Sequence, residues 1–141
     1  MVLIALFGCD NKSVYHFYSP SKEQSISVIT NDSIRYIING YYTSIPKSNY
    51  VKINLSKIDR SVGDVIAGCW NKENLKWIIM MDNVIVLDNK LDTTKFLFKN
   101  NFPRDAFDIP TLKGYDSKIK NCFTISFDHR ELTYINGSIS N

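Results

Sequence analysis

The sequence predicts an all-β domain, a mainly antiparallel sandwich or partly open barrel of about 8–10 short strands with at most one short helix. Three observations lead there. The chain holds 18 Ile, 8 Val and 7 Thr beside 8 Tyr, 8 Phe and 2 Trp, but only 3 Ala and 3 Glu. Branched and aromatic side chains suit a pleated, half-buried surface, whereas the best helix formers are nearly missing. Apolar and polar residues alternate with a period of two along several segments, and Asx-rich dipeptides separate them.

In chain order the candidate strands are Val14 to Tyr18, Ser25 to Thr30, Ile34 to Tyr42, Val51 to Leu55, Asp64 to Trp70, Leu75 to Met81, Val84 to Leu87, Thr94 to Phe98, Phe123 to Asp128 and Glu131 to Ile135. Val51-Lys52-Ile53-Asn54-Leu55 and Phe123-Thr124-Ile125-Ser126-Phe127 alternate as a sheet with one wet face does. Asp82-Asn83 separates Met81 from Val84, and both residue types tolerate positive φ, so a two-residue hairpin is expected there. With Asn71-Lys72-Glu73-Asn74 as a longer loop, this predicts a three-stranded meander from Asp64 to Leu87. Asp128-His129-Arg130-Glu131 should turn the last pair.

One short helix is predicted from Ser56 to Val62, with Ser56 as cap, Ile58 and Val62 on one face, and Gly63 as stop. Residues 99–121 include Pro103 and Pro110, lack a period, and are expected to pack over the sheet or cover one end of it.

The 141 residues suffice for one domain with a real core, and no apolar run is long enough for a membrane-spanning helix. A net charge of +3 without clustered Lys and Arg gives no reason to expect nucleic acid as a partner. Catalytic signatures are not found: no nucleophile elbow, no phosphate loop and no Cys or His pair at metal-ligand spacing, so no cofactor or metal is expected. His16 and His129 stand alone. Asp88 and Asp92 around Asn89-Lys90-Leu91 fall short of a calcium loop and read better as Asx-rich turn residues. Tyr36, Tyr41, Tyr42, Tyr50, Trp70 and Trp77 suit a sandwich core and equally an interface. Because Tyr41 and Tyr42 are adjacent, a strand would send them to opposite faces and display one, which makes them the candidate binding residues.

Met1 to Gly8 are apolar and end at Cys9, after which Asp10-Asn11-Lys12 turn polar. Leu6-Phe7-Gly8-Cys9 resembles the lipobox of a bacterial lipoprotein signal peptide, with Phe7 where a smaller residue is usual. The missing basic n-region reads as an internal start at Met1. The resemblance implies cleavage before Cys9, lipidation of Cys9 and membrane attachment through its acyl chains, with Asp10 in the place of an inner-membrane retention signal. It divides the chain into a signal-like segment at 1–8, a tether and first strand at 9–20, and one β-rich domain at 21–141. The other reading makes residues 1–9 a first strand of a cytoplasmic protein, with Cys9 as a buried thiol.

Setting Cys9 aside leaves Cys69 and Cys122, an even pair that an oxidising compartment would join. Their bridge would close a long loop and contribute roughly 4 kcal/mol on chain-entropy grounds. The body, with Ile45-Pro46-Lys47-Ser48-Asn49-Tyr50 and Leu91-Asp92-Thr93-Thr94-Lys95, resembles small lipoproteins of Gram-negative bacteria, a resemblance that implies no activity. The expectation is a non-catalytic protein-binding module of the cell envelope, facing the periplasm and partnered by an envelope protein. A toxin-neutralising immunity protein and a small-molecule-binding barrel or enzyme are the alternatives.

Overall fold

The computed structural model describes residues 12–19, 21–58, 63–71, 75–101 and 122–128, and the backbone of 131–134. Ten strands form among them, in two five-stranded sheets. The first runs in the order β1 (Lys12–Tyr18), β2 (Ser25–Asn31), β3 (Ile34–Asn39), β4 (Tyr50–Asn54), β7 (Ile85–Asn89), antiparallel throughout. The second has β10 (Glu131–Tyr134), β9 (Cys122–Ser126), β5 (Val65–Asn71), β6 (Lys76–Met80), β8 (Phe96–Lys99), with β6 and β8 parallel. Neither sheet closes on itself, so the architecture is a sandwich.

Alternation along the strands builds the core. Ile26 and Val28 of β2, Ile37 of β3, and Val51 and Ile53 of β4 face Ile66 and Trp70 of β5, Trp77 and Ile79 of β6, Phe96, Phe123 and Ile125, all in one buried cluster. Trp70 and Trp77 are cross-strand partners, and Trp77 meets Phe123 edge to face at 5.7 Å. Gly68 sits opposite both Phe123 and Ile79, where a Cβ would lie 2.5 Å from the Phe123 ring and 2.8 Å from Ile79 Cδ1. No larger residue fits between those side chains. On the outer face of the second sheet Cys69 and Cys122 are direct cross-strand partners, bonded with Cα atoms 4.0 Å apart, and packed with Ala67 and Met80.

The expected meander from Asp64 to Leu87 does not form. β5 and β6 make a hairpin, but β7 leaves it, crosses to the first sheet and pairs with β4. A type I′ hairpin needs positive φ at both central residues. Here only Asn83 has it, at 52°, while Asp82 is buried. The Asn100 side chain then takes the ladder's place: Val84 N–H donates to its Oδ1 at 2.8 Å, and its Nδ2 donates to the Val84 carbonyl at 2.6 Å. This lets Val84 enter the core as the chain changes sheets.

The expected strand from Ile34 to Tyr42 stops at Asn39. Gly40 takes φ +114°, a conformation strained for any residue with a side chain, and Tyr42 turns back over it at 3.0 Å from where a Cβ would stand. The hairpin from β9 to β10 forms as expected, with Glu131 opposite Ser126. Ser56 and Lys57 form a turn, and the rest of the predicted helix lies largely outside the described residues. So do the signal-like segment with Cys9 and Asp10, His129, and most of 99–121.

Candidate functional site: the tyrosine-bearing outer face

Residues of the first sheet that do not enter the core share its outer face. The register places Val14, His16 and Tyr18 of β1 opposite Ile29, Ser27 and Ser25 of β2, and Ile29 opposite Tyr36 of β3. It continues with Tyr36 opposite Lys52 and Ile38 opposite Tyr50 on β4, then Lys52 opposite Asp88 on β7. Ile29, Ile38 and Tyr50 form a small buried cluster, against which Tyr36 and Tyr42 pack. Tyr36 and Tyr50 meet edge to face at 5.4 Å. The face thus has an apolar base of its own, which holds its aromatic rings in place.

The two tyrosines predicted as binding residues both belong to this face, though not by strand alternation. Tyr42 lies partly buried on the cluster, and Tyr41 projects with 59% of its surface exposed. Tyr41 stacks on His16, with ring centroids 4.2 Å apart and planes 25° off parallel. Val14 and Tyr18 are exposed beside them.

Ser27 organises the centre. Its hydroxyl donates to the Gly40 carbonyl at 2.7 Å, accepts the Tyr42 N–H at 2.8 Å, and lies 3.0 Å from His16 Nδ1. A Ser beside a His suggests a nucleophile and its base. Ser27 is fully buried, however, and its donor and both lone pairs are occupied, so here the hydroxyl serves as a clasp for the β3–β4 connection.

Charge sits at the β4–β7 end. Tyr50 donates its hydroxyl hydrogen to Asp88 Oδ2 at 3.0 Å, and Lys90 Nζ lies 3.5 Å from the same oxygen. The Tyr50 hydroxyl and, after it, the Asp88 carboxylate hold the Lys90 ammonium above its ordinary pKa. Lys52 Nζ stands 5.6 Å above the Tyr36 ring and Lys90 Nζ 5.7 Å above the Tyr50 ring.

Among the described residues two clefts lie away from this face. One of about 470 Å³ is lined by Leu55, Ser56, Ile58, Gly63, Asp64 and Asp128. Asp64 is engaged by Arg35, and Asp128 accepts the Asp64 N–H at 2.7 Å. The other, about 430 Å³, includes Gln24, Leu75 and Lys95. There Gln24 accepts the Trp70 indole N–H at 2.6 Å and donates to the Leu75 carbonyl. Among the described residues no three His, Cys, Asp or Glu converge as metal ligands.

Sequence reasoning missed His16, Tyr18 and Val14 as members of the face. The signal was present: Val14, His16 and Tyr18 recur at every second position, with Tyr15 and Phe17 taking the core side. Comparison of the chain with protein-family models, with curated proteins and with solved structures returns no match.

Proposed function

We propose that the protein is a non-catalytic protein-binding module of the cell envelope, tethered through a lipidated Cys9 and recognising its partner with the tyrosine-bearing outer face of the first sheet. The observation that carries the reading is the set Val14, Tyr18 and Tyr41, exposed together on a face whose neighbouring rings are fixed by their own apolar base. Tyr combines a large rigid ring with a polar tip at low entropic cost, which is why interfaces are enriched in it. The bonded Cys69–Cys122 pair supports an oxidising compartment, and β1 starts at Lys12, close behind the proposed anchor.

The test has two arms. Intact mass of the protein from a native membrane fraction, expressed from its native locus, should show the acyl mass on a chain beginning at Cys9. An unmodified amino terminus defeats the tether. Retrieval of a defined partner from solubilised membranes should fall at least tenfold for a Tyr18→Ala/Tyr41→Ala double variant, and equal retrieval defeats the surface.

A further inference from the structure

We infer that the partner of the tyrosine-bearing face is an acidic protein segment, seated with its carboxylates against the Lys52 and Lys90 ammoniums at the β4–β7 end. This deepens the interaction reading of that face and rests on it.

Cross-strand register decides which charges share the face. Lys12 of β1 lines up through Asn31, Ile34 and Asn54 with Ile85, and the next outward row runs from Val14 to Lys52 and Asp88. Lys90 carries the ladder one step past β7, where its N–H donates to the Tyr50 carbonyl at 2.8 Å. Arg35, also on these strands, is buried inside the sandwich. Among the described residues the strands of the face, with Lys90, thus present three ammoniums, of Lys12, Lys52 and Lys90, against the one carboxylate of Asp88. That carboxylate is already engaged by the Tyr50 hydroxyl at 3.0 Å and by Lys90 at 3.5 Å. The connections within the sheet leave the balance unchanged, since Glu23 and Asp32 offset Lys22 and Lys47.

Lys52 and Lys90 are held in place by aromatic rings. Lys52 Nζ lies 5.6 Å above the Tyr36 ring and Lys90 Nζ 5.7 Å above the Tyr50 ring, while the two rings brace each other edge to face. The Lys90 side chain is 51% exposed, and Lys52, half-buried, makes no ion pair among the described residues. An ammonium drawn to a ring face has less rotamer freedom left to lose when a carboxylate arrives. The surface complementary to this end is therefore negative.

Neighbouring strands stand about 4.8 Å apart, which puts β1 and β7 at the two ends of the five-stranded sheet roughly 19 Å from each other. One partner burying about 800 Å² of the face spans that width and meets Tyr18 and Tyr41 together with Lys52 and Lys90. A second copy of this chain would set the same excess of positive charge against itself. Anionic membrane surfaces are held by clusters of about four to eight Lys and Arg, whereas the lysines here are fewer and divided between the two edges of the sheet.

Titration of the ¹⁵N-labelled protein with a random copolymer of glutamate and tyrosine tests this. The Lys52 and Lys90 amides should shift saturably, and Lys52→Gln/Lys90→Gln should weaken binding roughly fivefold or more, as the loss of two exposed ion pairs does. Lys52→Arg/Lys90→Arg should retain it, as should Lys76→Gln/Lys95→Gln, which removes the same charge from the second sheet. No shift, equal loss from the two glutamine pairs, stronger perturbation of the same amides by phosphatidylglycerol vesicles, or their shift on concentrating the protein alone overturns the inference. Partner retrieval lost with Tyr18→Ala/Tyr41→Ala but unchanged by Lys52→Gln/Lys90→Gln also overturns it and leaves the reading of the face standing. Retrieval that ignores both tyrosines overturns that reading itself.

Discussion

Arg35 of β3 and Asp64 at the entry to β5 form a two-pronged ion pair, 2.6 and 2.7 Å long, that joins one sheet of the sandwich to the other. Arg35 is 2% exposed, gives its Nε–H to Thr30 Oγ1 at 3.0 Å, and lies 3.9 Å over the Phe127 ring. Three of the guanidinium's N–H donors are thus bonded, two of them to a carboxylate, and one flat face lies on an aromatic ring, which is what allows a charge inside the sandwich. Replacing it by Met leaves Asp64 without its counter-charge. Urea unfolding of Arg35→Met should lose about 3 kcal/mol, the low end for a broken buried pair because Asp64 retains some water contact. An Arg35→Met/Asp64→Leu double variant should recover a large part of it. A loss under about 1 kcal/mol in the single variant would show that the pair does not hold the sheets together.

The Cys69–Cys122 bond spans 53 residues of sequence and sits wholly buried. Cys69→Ala/Cys122→Ala should lower stability by roughly 4 kcal/mol, because the unfolded chain regains the freedom of that loop. Two alanines fit the space beside Ala67 and Met80 without adding bulk. A chemical-denaturation midpoint unchanged from the oxidised protein would contradict this.

Gly68 is a packing constraint with no conformational excuse, since it has ordinary strand geometry. Gly68→Ala should cost about 1–3 kcal/mol through its collision with Phe123 and Ile79, measured by thermal unfolding. Gly68→Ala combined with Ile79→Val should recover part of that loss, and an unshifted single variant would mean the inner faces have slack.

Asp92 shapes the turn into β8: its carboxylate accepts the Thr94 hydroxyl at 2.6 Å and the Thr94 N–H at 3.0 Å, which hold its pKa below 3.8. A carboxylate with a depressed folded pKa contributes stability above its unfolded pKa and loses it as the pH falls through the folded value. Wild-type protein should therefore exceed Asp92→Ala in denaturant midpoint at neutral pH, and the gap should close as the pH drops below 3.8. A gap that persists undiminished at the lowest pH would assign the effect to something other than ionisation.

Local pattern made most strands readable, because a period of two survives wherever one face is buried, as at Val51 to Leu55 and Phe123 to Phe127. Tertiary choices were not readable. Asp82-Asn83 looks like a hairpin turn, and only the far-off Asn100 side chain makes it a change of sheet. Arg35 reads as one polar residue among bulky neighbours until Asp64 arrives from 29 residues away. Tyr41 and Tyr42 were recognised by their adjacency, yet their placement follows from the Gly40 turn and from Ser27, which no propensity reports. Cys69 and Cys122 could be paired by count, while their position directly across a strand pair needed the register.

Photocrosslinking in intact cells reads recognition by the outer face, with p-benzoylphenylalanine placed at Tyr41 on that face and, separately, at Leu87, which is exposed on the β7 edge. Position 41 should give one defined higher-mass adduct and position 87 none. An adduct from position 87 alone, or none from either, would contradict recognition by that face.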